Sequence, residues 1–221
     1  MVILLAENSL LSFIEEVKKS SVERKFKESI EMSFNLKDVD LSDPKNRINE
    51  EIILPKGRGK DIKIGFFGSQ EMQGKVKEVA DVIYGPEDLA KFAENKKSFK
   101  KVVETIDYFV AESTLMATIG KTLGPVLGPR GKIPKPVPPG QDPSAMINAL
   151  KRTVRARSRD RRTFHVPVGT KEMSDEDVAD NVNAVVKRLV GRLEKGYGNI
   201  ESAYLKTTMG KAVKIKLEGI R

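Results

Sequence analysis

The sequence predicts a discontinuous α+β domain interrupted by an inserted α/β domain whose parallel sheet is doubly wound. Near both ends of the 221-residue chain, apolar and polar residues alternate as they do in half-buried antiparallel strands. In the middle, short apolar strands alternate with amphipathic helices, a pattern typical of parallel sheets. We therefore expect residues 1–58 and 160–221 to form the first domain and residues 59–159 the insertion. Two chain crossings, near Gly57–Gly59 and Arg159–Arg162, would form a double hinge.

The terminal segments supply the elements of the predicted α+β domain. A helix capped by Asn8 or Ser9 comes first. The stretch KFKESIEMSFNLK then alternates almost without error, and its apolar positions are Phe26, Ile30, Met32, Phe34 and Leu36. After the insertion, TFHVPVG forms a strand and Ser174 caps a long helix. The last two strands, IESAYLKTTM and KAVKIKL, meet at a Met-Gly tip.

The middle of the chain contains the pattern of the inserted domain. DIKIGFFG, DVIYG and TIDYFVAES are apolar strands, and helices are predicted at EMQGKVKEVA, PEDLAKFAENKK and TLMATIGKTLG. The proline-rich stretch GPVLGPRGKIPKPVPPGQDP follows. A helix near residues 145–151 and a basic strand, TVRARSR, complete the predicted insertion.

Positive charge is concentrated in one part of the chain. Between Lys121 and Arg162 there are eleven basic and two acidic residues, an excess equal to the chain's formal net charge of +9. Such a block is typical of a protein that binds a polyanion, although a charged face kept for solubility gives the same pattern. Gly-Pro turns surround Arg130, Lys132 and Lys135. We expect a rigid basic loop that contacts phosphates there; a flexible surface loop is the alternative.

The sequence offers little for catalysis or for a cofactor. There is no cysteine and no carboxylate cluster with metal-ligand spacing, so we expect neither a metal nor another cofactor. GFFGSQEMQGKV fails as a phosphate-binding loop because Ser69 occupies the first glycine position and Val76 replaces the hydroxyl residue. A second near-match, IGKT, has Leu115 where the leading glycine belongs. The single histidine, His165, lies between apolar residues, a setting typical of a structural residue.

No apolar run is long enough to span a bilayer, and the chain does not start with the basic segment of a secretory signal. We therefore expect a cytoplasmic protein without a membrane partner.

Three stretches of the chain resemble the L-one family of large-subunit ribosomal proteins, in its archaeal form. They are LGPRGKIPKP in the predicted insertion, FHVPVG where the chain returns, and YLKTTMG near its end. The resemblance extends over nearly the whole chain in the right order. It implies the fold given above, with a Rossmann-like insertion, and a non-enzymatic protein that is a monomer outside the ribosome.

The resemblance also implies RNA partners. Members of the family bind the stalk region of large-subunit ribosomal RNA, move with that stalk as deacylated tRNA leaves the exit site, and repress translation of their own messenger RNA. The implied RNA-binding residues are Lys25, Phe26, Ser29, Glu31, Ser202, Thr208, Met209 and Gly210. A weaker electrostatic contact with RNA or tRNA is expected from Arg130, Lys132, Lys135, Arg155 and Arg157.

These residue types suit RNA recognition. The polar positions of the first strand share one face, and serine and threonine hydroxyls can pair with ribose 2′-OH groups. Gly210 would let RNA approach the backbone, and Met209 would shield those contacts from water. Phe26 either stacks on a base or packs in the core, since it shares its parity with Ile30.

Two functions from other classes remain open. A nucleotide-using enzyme would require the phosphate motifs that are broken here. A non-specific basic chaperone would bind RNA according to phosphate density alone, whereas the family resemblance predicts a preference for one hairpin-and-loop structure.

Overall fold

The computed structural model describes residues 2–217, with side chains from residue 10 onward. Within this range the helices are α1 (Val2–Ser20), α2 (Gln70–Val76), α3 (Pro86–Glu94), α4 (Lys96–Thr105), α5 (Met116–Thr122), α6 (Gly124–Arg130), α7 (Ser144–Lys151) and α8 (Asp175–Arg192). The strands are β1 (Ser29–Leu36), β2 (Asn49–Ile53), β3 (Ile64–Phe67), β4 (Val82–Tyr84), β5 (Tyr108–Glu112), β6 (Lys135–Val137), β7 (Thr153–Arg157), β8 (Thr163–Thr170), β9 (Ile200–Thr207) and β10 (Val213–Ile215). None of the described helices has the length and apolar character needed to cross a membrane.

The chain divides into two compact units, and the mixed α and β content predicted from the sequence is confirmed. The first unit contains the residues up to Lys60 and those from Arg152 onward, and the second contains Asp61–Lys151. The second crossing therefore lies at Lys151–Arg152 and not at Arg159–Arg162. The reason is that the basic strand TVRARSR forms β7, which pairs with β2 in the first unit and does not join the parallel sheet.

A four-stranded antiparallel sheet is the centre of the first unit. Its strands lie in the order β10–β9–β1–β8. The alternation predicted for β1 is confirmed, because its even-numbered apolar side chains are buried in one core with residues of α1 and α8. The polar side chains of β1, β8 and β9 lie on the other face of the sheet, which we call the open face. His165 is exposed on the open face. This contradicts the prediction that it is a structural residue.

Two predicted boundaries of the first unit need correction. The strand β1 begins at Ser29, so Lys25 and Phe26 precede it. Phe26 is 55% exposed, which excludes the alternative of core packing. The helix α1 begins at Val2, so Asn8 and Ser9 lie inside the helix and do not cap it.

The second unit contains a parallel sheet with the strand order β4–β3–β5–β6. One core packs α3, α4, α5 and α6 against the sheet, and another packs α2 and α7 against it. The proline-rich stretch is not a protruding loop. Its first part forms α6, because Val126 and Leu127 are buried and Gly131, with a φ of 65°, ends the helix.

One buried polar side chain connects three segments of the first unit. Asn181 of α8 donates from Nδ2 to the carbonyls of Gly57 and Val168, each at 2.8 Å. Its Oδ1 accepts the N–H of Lys56 at 3.1 Å. A single amide thereby satisfies backbone groups of β8 and of the segment that follows β2.

Replacing Asn181 by leucine leaves these three backbone groups without their partner. Because an unsatisfied buried polar group costs about 1–3 kcal/mol, we expect Asn181→Leu to lower the free energy of unfolding by about 3 kcal/mol or more in a denaturant titration. Asn183→Leu, at a half-buried position of the same helix, is the control and should change it by less than about 0.5 kcal/mol. Equal losses in the two variants would contradict this role.

Candidate nucleic-acid interface

The structure brings most of the two predicted RNA-binding segments together at one end of the four-stranded sheet. Thr208, directly after β9, donates its N–H to the carbonyl of Ser29 at 3.0 Å. The Thr208 hydroxyl lies 3.2 Å from the same carbonyl and 3.0 Å from Glu31 Oε1. Residues separated by 177 positions in sequence therefore share one polar network. We call this region the β1–β9 edge; its residues are Lys25, Phe26, Ser29, Glu31, Thr208, Met209 and Gly210.

A buried carboxylate, which sequence reasoning missed, holds the turn that follows β9. Glu28 is only 3% exposed, and its Oε1 accepts the N–H of Met209 at 2.8 Å. Its backbone carbonyl accepts the N–H of Lys171 at 3.0 Å. The sequence does contain one sign of this role: Glu28 is a charged residue at an even position of the alternating stretch, and the even positions of β1 that follow it face the core. Glu28 thus fixes the backbone of one predicted RNA-binding segment from within the other.

Gly210 is required by a close contact with Thr207. A Cβ atom at Gly210 would lie 2.2 Å from Thr207 Oγ1, which is far inside van der Waals contact. The Thr207 side chain is fully buried, and the Gly210 N–H donates to the Thr207 carbonyl at 3.1 Å. Gly210 does not have a positive φ, so the turn needs a glycine for space and not for a left-handed conformation.

Apolar side chains are exposed in the segments that meet at this end of the sheet. Met209 is 61% exposed and Phe26 is 55% exposed. Val22, which no sequence pattern marks as an RNA contact, is 69% exposed and follows Ser21, the residue that lies close to Gly210. Exposed apolar groups next to fixed hydrogen-bonding groups are typical of a binding surface.

Ser202 does not lie at the β1–β9 edge. It is six residues before Thr208 on β9, which corresponds to about 20 Å along a strand. Its Oγ accepts Asn35 Nδ2 at 2.7 Å, and Asn35 Oδ1 accepts the hydroxyl of Thr163 at 2.7 Å. These three residues form a polar row across the far end of the open face.

The basic block is divided between the two units. Arg155 and Arg157 lie on β7 in the first unit, where Arg155 pairs with Glu51 at 3.1 Å and Arg157 is exposed. Arg130 and Lys135 lie in the second unit, and Arg130 is 3.6 Å from Glu104. The basic residues predicted to give the electrostatic contact therefore do not all belong to one unit.

Lys132 is directed into the second unit. Its Nζ donates to the carbonyls of Val103 and Ile106, at the C-terminal end of α4. Burial lowers the pKa of Lys132 from its ordinary value. This lysine satisfies helix-end carbonyls, so its geometry is that of a structural residue.

The position where a doubly wound sheet usually binds phosphate is occupied by a side chain of the protein. The strand order reverses between β3 and β5, and Glu112 at the end of β5 is buried. Its two oxygens accept the N–H of Ser69 and the hydroxyl of Thr114, both at 2.9 Å. The Ser69 hydrogen bond is the main cause that holds the pKa of Glu112 below its usual value. A nucleotide phosphate here would meet a carboxylate, which disfavours the enzyme alternative.

Among residues 10–217, no group of three or more histidine or carboxylate side chains is arranged to hold a metal ion.

Removing the Glu28 carboxylate should free the Met209 amide without changing the exposed surface of the edge. We expect Glu28→Ala to speed hydrogen exchange at the Met209 amide by about 10-fold or more, because one hydrogen bond is lost. Glu28→Gln keeps an oxygen acceptor and should retain most of the protection. Glu23→Ala, an exposed glutamate of the same loop, is the control. Unchanged Met209 exchange in Glu28→Ala would show that Glu28 does not hold this turn.

Comparisons with known proteins identify the family. The Ribosomal protein L1p/L10e family matches residues 17–211. Large ribosomal subunit protein uL1 of Picrophilus torridus is 64% identical over 92% of this chain and 95% of that protein. The protein of the same name from Thermoplasma volcanium is 58% identical over 94% of this chain and 96% of that protein. The one from Haloferax volcanii is 44% identical over 87% of this chain and 91% of that protein. These relatives carry a ribosomal and not an enzymatic name, which supports the expectation of a non-enzymatic protein. The resemblance found in the sequence is confirmed: the chain belongs to the Ribosomal protein L1p/L10e family.

Proposed function

We propose that this chain is a structural protein of the large ribosomal subunit in the cytoplasm, and that its β1–β9 edge binds the stalk region of the large-subunit ribosomal RNA. The family and the names of the relatives support the ribosomal role. The observation that carries the binding site is the polar network of Thr208, Ser29 and Glu31 beside the exposed side chain of Met209.

The network presents fixed acceptors to RNA. Glu31 uses Oε1 for Thr208, so Oε2 can accept a hydrogen bond from a ribose 2′-OH. The Thr208 oxygen, while donating its own proton, can accept a second hydrogen bond. Because deoxyribose lacks the 2′-OH that would donate to these acceptors, they distinguish RNA from DNA. Met209 and Phe26 would cover these hydrogen bonds and exclude water, which strengthens them.

The weaker electrostatic contact is proposed for the predicted basic residues that are exposed. Arg130 and Arg157 meet this condition, whereas Lys132, Lys135 and Arg155 are half-buried. Charges at such positions attract phosphates through water and are screened by salt.

Two further roles are proposed from the family resemblance. The protein would assist the release of deacylated tRNA from the exit site, and it would repress its own messenger RNA through a site that resembles the ribosomal one. Outside the ribosome it would be a monomer. The two units would move as domains joined by two chain crossings, one of which comes just after Gly57 and Gly59, each with a φ of 70°.

Substitutions at the β1–β9 edge should weaken specific binding more than a substitution in the basic block. We expect Thr208→Val and Met209→Ala to raise the Kd for a stalk ribosomal RNA fragment by about 10-fold or more, because shielded contacts are lost. Arg157→Ala should raise the Kd less than these two substitutions do at moderate salt. It should also reduce the magnitude of the slope of log K against log salt concentration by about 0.7–0.9, because one phosphate contact is lost. Filter binding over a salt series measures both quantities.

Thr105→Val, an exposed threonine in the second unit, serves as the matched control and should leave the Kd unchanged. A larger loss in Arg157→Ala than in Thr208→Val at moderate salt would overturn the site. A wild-type protein that bound unrelated hairpins as tightly as the stalk fragment would instead support the chaperone alternative.

A further inference from the structure

We infer that the open face of the four-stranded sheet is a stacking surface for unpaired nucleotides, with Tyr204 and His165 as its aromatic contacts. This inference rests on the proposed function, because the RNA that contacts the β1–β9 edge is the ligand that would continue across the face. Neither aromatic residue was selected from the sequence as an RNA contact.

The register of the strands places the two rings in one row. His165 of β8 lies opposite Ser33 of β1, and Ser33 lies opposite Tyr204 of β9. Tyr204 in turn lies opposite Lys214 of β10. Neighbouring strands are about 4.8 Å apart, so the histidine and tyrosine positions are about 10 Å apart with a short serine between them.

The row lies between two of the RNA-binding positions predicted from the sequence. Thr208 is four residues after Tyr204 on β9, and Ser202 is two residues before it. Side chains alternate between the two faces of a strand, and the intervening Ala203 and Leu205 are buried in the core. Ser202, Tyr204 and Thr208 are therefore at positions that face the open side of the sheet. An RNA that contacts both Thr208 and Ser202 must therefore pass over Tyr204.

Burial and position favour this face as a contact surface. The helices α1 and α8 pack on the opposite side of the sheet, His165 is exposed and Tyr204 is half-buried. Ser33, between the two rings, is only 7% exposed, so the neighbouring side chains cover it and themselves form the surface of the row. The backbone groups of β1 are paired on both sides with β8 and β9, so the platform is rigid before it meets a ligand.

The chemistry of the face fits RNA better than an apolar protein partner. Rings on the surface of an antiparallel sheet stack on bases, as they do in RNA-binding sheets of other proteins. Lys206 and Lys214 flank the row and can contact the phosphates of the stacked nucleotides. Glu31, opposite Lys206, already holds the Thr208 hydroxyl. Bases inside a duplex have both faces covered, so the nucleotides that stack here must be unpaired.

The test compares two RNA probes of equal length. One is the stalk ribosomal RNA fragment with its loop nucleotides, and the other has those nucleotides paired by complementary changes. We expect Tyr204→Leu to raise the Kd for the looped fragment by about 10-fold, because one base stack is lost. Tyr204→Phe keeps the ring and should bind like the wild type. The salt dependence should be unchanged in both variants, because no phosphate contact is removed.

Two controls separate stacking from a general structural effect. Tyr197→Leu replaces an exposed tyrosine just before β9 and should leave the Kd unchanged. A damaged fold in Tyr204→Leu would weaken binding of both probes equally, whereas lost stacking weakens mainly the looped one. Equal weakening with an unchanged melting temperature would overturn the inference.

The single histidine supplies a second readout that needs no substitution. The chain contains one histidine, so its imidazole ring protons can be assigned directly in an NMR spectrum. Stacking on a base should shift these protons upfield when the looped fragment is added. If the wild type prefers the stalk fragment over an unrelated hairpin but His165 does not shift and Tyr204→Leu binds normally, the stacking inference fails alone. If the wild type has no such preference, the proposed function fails.

Discussion

The pairing of β1 with β9 is the constraint on which the candidate site depends. It places Ile30 opposite Thr207 and thereby sets Thr208 beside Ser29 and Glu31, although most of the chain separates the two strands. Because side chains alternate between faces, a slip of one residue would move the polar row into the core. The buried apolar residues of β1 prevent that slip. The hydrophobic core of the first unit therefore determines the geometry of its polar surface.

Buried polar groups fix the turn after β9, which the hydrophobic core does not hold in place. Glu28 accepts the Met209 amide from below, and the contact between Thr207 and Gly210 leaves no room for a side chain in the turn. The exposed Met209 side chain is thus carried by a backbone held at both ends. A preformed surface loses less conformational entropy on binding than a mobile loop would, which suits recognition of a folded RNA.

The sequence predicts the elements of the fold better than their assembly. Alternation in β1 and the Ser174 cap of α8, where the Asp177 N–H donates to Ser174 Oγ at 3.1 Å, are local and follow from the pattern. The position of TVRARSR is not local, because a basic strand can pair with β2 as readily as it can join a parallel sheet. Glu28 and Asn181 act through partners far away in sequence, so their roles appear only once the backbone is folded. The family resemblance supplied the site residues, while the structure shows that Ser202 lies about 20 Å from the edge.

The most direct test of this account is an NMR titration of the methionine methyl groups of the full chain with the stalk ribosomal RNA fragment. Met209 is exposed at the β1–β9 edge, whereas Met72 is buried in the second unit and Met32 in the first. If the β1–β9 edge binds this RNA, the Met209 methyl signal should shift or broaden strongly at stoichiometric RNA, while the Met32 and Met72 signals should stay nearly unchanged. Saturated RNA binding that leaves the Met209 signal unchanged would contradict it.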